Sequence, residues 1–168
     1  MDGLGKESGL GTKISLFFLV FMVMMIIIRP ISGIVFDRLG HKILVFPACL
    51  FGIAALLLLG ITNNVTILLL SAFFYGLSYG VLQPTLQSWA VSQAGPNNKG
   101  TANAMILTGM DLGMALGSPL LGWIAGKAGY SAMFGYSSLF LLLLLLVYIF
   151  HSFQSKNMIS IEKQKKYL

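Results

Sequence analysis

Long apolar runs separated by very short polar links set the pattern of the chain. The runs cover about 14–36, 43–62, 65–92, 100–126 and 130–152. The links are Asp37 to Lys42, Asn63-Asn64, Ala94 to Lys99 and Lys127 to Gly129. A membrane-crossing helix needs about 20 mostly apolar residues. The pattern therefore predicts an all-α membrane protein, a bundle of five transmembrane helices over residues 14–152. Residues 1–13 form a polar N-terminal segment and residues 153–168 a basic tail. Links this short make consecutive helices antiparallel neighbours, and no stretch is long enough for a soluble domain.

Composition fixes the solvent. The chain is 57% hydrophobic and 10% charged, with a mean hydropathy of +0.85, whereas soluble domains carry about 25% charged residues. Its natural partner is the lipid bilayer. The net charge of +6 does not point to nucleic acid, because the cations sit at the ends of apolar runs and in the tail. That is how topology is set. Arg38, Lys42, Lys99, Lys156, Lys163, Lys165 and Lys166 fall on one side, and Lys6, Lys13 and Lys127 on the other. The richer side is expected to be cytoplasmic. This gives a multi-pass protein of the cell (plasma) membrane with its N-terminus outside and C-terminus inside. Lys6 and Lys13 before Ile14–Ile28 imitate a signal peptide, but the run continues past Arg29-Pro30 to Phe36 without a small-residue cleavage site. The expectation is a retained helix. The single cysteine, Cys49, lies inside a run and forms no intrachain disulfide.

The runs are not equivalent. The second is featureless apart from Pro47, Cys49 and glycines, and the fifth contains the leucines Leu141 to Leu146. Both are expected to face lipid over much of their surface. The first, third and fourth carry polar and small residues and are expected to face protein or a cavity. In the fourth run Gly109, Gly113 and Gly117 recur at i, i+4, i+8, followed by Pro119, Gly122 and Gly126; the third has Gly76, Gly80 and Pro84. Small residues let another backbone approach closely, and an interior proline kinks a helix. Close packing in any bundle and bending at a moving interface both fit.

Three polar features lie within the apolar runs. Tyr75, Tyr79, Gln83 and Gln87 form one stripe at four-residue spacing. Asp111 lies roughly 17 Å along its run, near mid-membrane. An aspartate that deep needs a partner, water or a proton, so it is either a proton-coupling site or a structural group bonded to a neighbouring helix. Arg29 lies about 10 Å inside the end of the first run. It either serves function or snorkels to the interface; burying it costs about 2.5–3.5 kcal/mol. His41 and His151 sit near membrane edges without neighbours at metal-ligand spacing, and there is no phosphate loop or catalytic triad. Neither a metal, a cofactor nor an enzymatic activity is expected.

The first link adds a motif. Gly33, Asp37, Arg38, Gly40 and Lys42 follow a Gly-x-x-x-Asp-Arg-x-Gly-x-Lys spacing. It resembles the signature loop of the major facilitator superfamily of secondary transporters. Ile34 and His41 depart from the pattern at positions that are usually basic. The resemblance covers most of residues 14–152 and follows the order of that family's C-terminal half. The signature is similar to the weaker copy between the eighth and ninth helices. Gln83-Pro84-Thr85-Leu86-Gln87 looks like the tenth helix, and Asn97 to Asn103 the loop entering the eleventh. Asp111-Leu112-Gly113 and Gly117 to Gly122 resemble the glycine-proline motif of antiporters. The fifth run looks like the peripheral twelfth helix.

The resemblance implies a partial fold of that family, helices eight to twelve of twelve, and hence a fragment or truncated reading frame. A missing N-terminal half or another membrane protein would be its partner. It implies that Asp37 gates by meeting a helix N-terminus in the opposite half, beside the plainer reading of helix capping and anchoring. It also implies that Tyr75, Tyr79, Gln83 and Gln87 line a cavity for a neutral or amphiphilic small molecule. The function implied is part of a secondary active transporter, proton-coupled, with export favoured. The alternatives are uptake of a sugar, nucleoside or metabolite, and a non-transporting remnant or helix bundle that binds another membrane protein.

Overall fold

The computed structural model describes residues 4–5 and 9–165. Lys6 and the side chains of His151, Lys156, Lys163, Lys165 and Lys166 lie outside the described residues. A 3-10 turn at Gly11–Lys13 leads into α1 (Ile14–Leu39), followed by α2 (His41–Gly60), α3 (Val65–Gln93) and α4 (Lys99–Lys165). No strand occurs among the described residues.

The first link is tighter than the polarity pattern implies. Only Gly40 separates α1 from α2. Its φ of 78° admits a sharp turn that residues with a Cβ resist, and its N–H donates to the Phe36 carbonyl at 2.9 Å. Asp37, Arg38 and Lys42 are therefore helical residues flanking a one-residue turn. At the other end of the hairpin, the Asn64 side chain caps α3 by accepting the Ile67 N–H at 2.9 Å.

Five helices were expected and four helical elements are found. The fourth runs without a coil through both the fourth and fifth apolar runs. Its apolar part, Lys99–Phe150, has 52 residues. Straight, it would extend about 78 Å, far beyond a bilayer core of about 30 Å. It is not straight. Gly129 has φ 84°, ψ 166° inside it, a conformation essentially confined to glycine. The contacts show that the two segments run in opposite senses. Residues 99–128 descend beside α3, with Gln87 meeting Asn103 and Tyr79 sharing a cleft with Ser118. Residues after 129 return along α2: the Ser131 hydroxyl donates to the Gly60 carbonyl, Leu141 lies against Gly52, and Leu145 packs with Val45 and Cys49. One glycine does the work of a loop, so the five apolar runs make five passes with only four helical elements.

α3 is the centre of the bundle. On one side α1 runs parallel to it, from Phe17 beside Tyr75 to Arg29 beside Gln83. Gly76 and Gly80 make this approach possible. A Cβ at Gly76 would lie 2.8 Å from the Phe21 carbonyl oxygen, and one at Gly80 would lie 2.4 Å from Ile28 Cγ2. On the other side α2 runs antiparallel, and a Cβ at Gly52 would lie 2.5 Å from Ser78 Oγ. α2 thus departs from the lipid-facing expectation. Ala48, Gly52, Ala55 and Leu59 lie along one buried face, where small side chains let α3 and the returning segment of α4 close over it. α1, in contrast, contacts mainly α3, leaving Leu19 60% and Ile26 67% exposed. Such a shell of exposed aliphatic groups requires lipid rather than water around it.

The cations divide between the two ends of the bundle. Leu10, Phe17, Leu59, Leu68 and Tyr130 cluster at the end that carries Lys13; Lys127, whose ammonium lies 4.4 Å over the Trp123 ring, precedes the Gly129 turn there. Arg38, Lys42 and Lys99 belong to the opposite end, where His41 stacks on Trp89 at 4.7 Å and meets the edge of Tyr148 at 6.2 Å.

Candidate functional site

α3 and the first segment of α4 do not close on one another. Between them lies a cleft of about 640 Å³, lined from α3 by Tyr79, Leu82, Gln83 and Leu86. Residues 107–121 of α4 line the other wall, with Asp111, Met110, Met114 and Ser118 among them. Its size and mostly apolar walls with a few polar groups suit a small-molecule site.

The local sequence explains the opening. Gly113 and Gly117 lie on the cleft wall. A Cβ at Gly109, Gly113, Gly117, Gly122 or Gly126 would meet nothing within 4 Å. This ridge has the same spacing as Gly76 and Gly80, yet the α3 glycines admit a helix whereas the α4 glycines border open space. Pro119 lies two residues after Gly117 and leaves a helix position without an N–H.

The predicted polar stripe divides along α3. Tyr75 is half-buried, 5.5 Å from the Phe21 ring and stacked on Tyr79 at 6.3 Å. Tyr79 is 43% exposed and reaches the cleft with Gln83. Gln87 is held away from it, donating from Nε2 to Asn103 Oδ1 at 2.5 Å. Asn103, which the sequence reading assigns to the loop entering the fourth run, is a helical residue of α4 that holds Gln87.

Asp111 is exposed in this cleft. Among the described residues it is the one carboxylate on the cleft wall, and no cationic residue lines it. Arg29 and Asp111 are not paired. The Arg29 guanidinium instead donates to Gln83 Oε1 at 3.5 Å, a long contact. It occupies a second, smaller cleft of about 100 Å³ between α1 and α3, together with Gly33, Asp37 and Pro84. Gln83 is therefore the link between the two. Its side chain touches an arginine on the signature-loop side and lies on the wall opposite an aspartate. Asp37 and Arg38 themselves are exposed at the end of α1. Among the described residues no group of three or more His, Cys, Asp or Glu is placed to hold a metal.

The Multidrug resistance protein 1 of Bacillus subtilis is 28% identical to the chain over 111 residues, which is 64% of this chain and 28% of that protein. The chain therefore spans little more than a quarter of the length of the curated relative it matches. No solved structure gives a significant match. The family model of the Major Facilitator Superfamily matches residues 4–164, nearly the whole chain. With four long apolar helical elements and this match over nearly its whole length, the chain belongs to the Major Facilitator Superfamily, a family of multi-pass membrane transporters.

Proposed function

We propose that the chain forms part of a secondary active transporter of amphiphilic small molecules, coupled to protons and directed toward export. The observation that carries this reading is Asp111 on the wall of a largely apolar cleft, across from Tyr79 and Gln83. A carboxylate there binds either a proton or a cationic group of the substrate, because the cleft contains no other counter-charge. Competition of the two for one group is the simplest form of antiport. Tyr79 offers a ring face and hydroxyl, Gln83 an amide, and the leucines and methionines the apolar surface that an amphiphile needs. The multidrug-resistance name of the Bacillus relative favours export of such compounds over uptake of a sugar or nucleoside.

The packing supports a division of labour. α1, α2 and α3 are locked by close backbone approaches at Gly52, Gly76 and Gly80. The first segment of α4 borders an open cleft and is the part freest to move. In alternating access this unit rocks against a facing half, supplied by a longer polypeptide or a partner protein. Asp37 holds one state closed by meeting a helix N-terminus of that half. The end bearing Arg38, Lys42 and Lys99 is cytoplasmic.

The test is binding of tetraphenylphosphonium to the purified chain in nanodiscs at low and high pH. Wild-type binding is expected to weaken as protons compete. Asp111→Asn is expected to weaken binding and to remove the pH dependence. Equal affinity of wild type at both pH values, or undiminished competition in Asp111→Asn, refutes the reading.

A further inference from the structure

A third cavity, of about 300 Å³, lies on the other side of Tyr79, among α2, α3 and the returning segment of α4. Leu56, Ser78, Ser137, Leu141 and Leu144 line it, and its walls are overwhelmingly apolar. It lies beside Gly52, near the middle of α2. Tyr79 and Leu82 line this cavity and also the Asp111 cleft, so these two side chains alone are common to both walls. Ser137 directs its hydroxyl to the Met133 carbonyl of its own helix and leaves little unmet polarity in the cavity.

We infer that this cavity is a second subsite that takes the alkyl tail of an amphiphile whose cationic head lies beside Asp111, with Tyr79 and Leu82 as the partition between them. The inference rests on the cleft being a substrate site. The occupant follows from continuity and charge. One cavity has a carboxylate and the adjoining one is uncharged and mostly hydrocarbon, so together they match a molecule with a cation at one end and a chain at the other. Tyr79 is suited to be the partition. Its ring is held by stacking on Tyr75 and by Phe21 at 6.0 Å, and it remains partly exposed.

The experiment uses the full chain in nanodiscs with two photoreactive probes, hexyl- and dodecyl-trimethylammonium carrying a terminal diazirine. Cross-linked residues are read by mass spectrometry. The hexyl probe is expected to label the cleft wall of residues 107–121. The dodecyl probe is expected to label residues around Leu56 and Leu141 in excess of lipid-facing Leu19 and Ile26. Filling the cavity by Leu56→Trp is expected to reduce dodecyl labelling there at least tenfold and leave hexyl labelling unchanged. Loss of about two buried methylene contacts already carries that factor. Ser137→Phe fills the same cavity from another helix and guards against misfolding of the first variant. Tyr79→Ala is expected to let the hexyl probe label both cavities. Hexyl labelling of the cleft without dodecyl excess in the cavity overturns this inference alone. Absence of Asp111-dependent labelling by either probe overturns the cleft reading as well.

Discussion

Replacing Gly76 by alanine adds one methyl group at the tightest backbone approach in the bundle. The new Cβ would lie 2.8 Å from the Phe21 carbonyl oxygen and 2.8 Å from Met24 Cβ. Neither atom is the end of a flexible side chain, so no rotamer change relieves the contact and α1 must move away from α3. Overpacking of this kind costs about 1–3 kcal/mol, and the rigid neighbours place Gly76→Ala at the upper end. Against it stands the helix-propensity gain of alanine over glycine, about 1 kcal/mol. The net expectation is a loss of about 1–2 kcal/mol. Gly113→Ala is the matched control, because a Cβ there meets nothing within 4 Å. It retains the propensity gain without the clash and is expected to be neutral or stabilising by up to about 1 kcal/mol. Both are read as SDS-unfolding midpoints in mixed micelles. Gly76→Ala is also expected to reduce substrate-probe affinity, since moving α1 withdraws Arg29 from Gln83. If the two variants shift the midpoint alike, or Gly113→Ala is the more damaging, then the assignment of one ridge to packing and the other to the cleft is wrong.

Other expectations follow from single contacts. Gly129→Ala forces a Cβ into a backbone conformation with φ 84° and is expected to cost about 1–3 kcal/mol, seen as a lower unfolding midpoint and as increased protease cleavage near Lys127. Asn64→Ala removes the cap that accepts the Ile67 N–H and is expected to cost about 1 kcal/mol; hydrogen exchange rising only in the first turn of α3 checks it. Gln83→Leu leaves Arg29 without its amide acceptor and removes an amide from the cleft wall. It is expected to lower tetraphenylphosphonium affinity about tenfold, a loss of about 1.4 kcal/mol, in an equilibrium binding assay. Wild-type affinity in that variant would dissociate Gln83 from the site.

What could be read from the chain, and what could not, differs residue by residue. The apolar runs identify the membrane elements because lipid tolerates only backbone that satisfies its own hydrogen bonds. The signature spacing from Gly33 to Lys42 pointed to the family. The cleft was half-visible. Asp111 and the Tyr79–Gln83 stripe are conspicuous as polar groups in apolar surroundings, but the bond to Asn103 that keeps Gln87 off the cleft wall is not. The burial of α2 was missed because its signal consists of small residues, Ala48, Gly52 and Ala55, rather than charges. Hydrophobicity alone does not tell a helix that is covered by other helices from one that is covered by lipid.

The sequence by itself determined that this is a helical membrane protein, where its apolar runs lie, and which side chains are out of place in hydrocarbon. These are local properties: each run meets its own backbone requirements, and each intramembrane polar group carries its cost wherever the helices go. Only the tertiary structure decided which glycines pack and which line open space. Gly76 and Gly113 have the same spacing pattern and opposite surroundings. It also decided that a single glycine, Gly129, suffices to reverse the chain, and that Tyr79 borders two cavities. Such facts depend on distances between segments far apart in the chain, and a one-dimensional pattern contains no such distances.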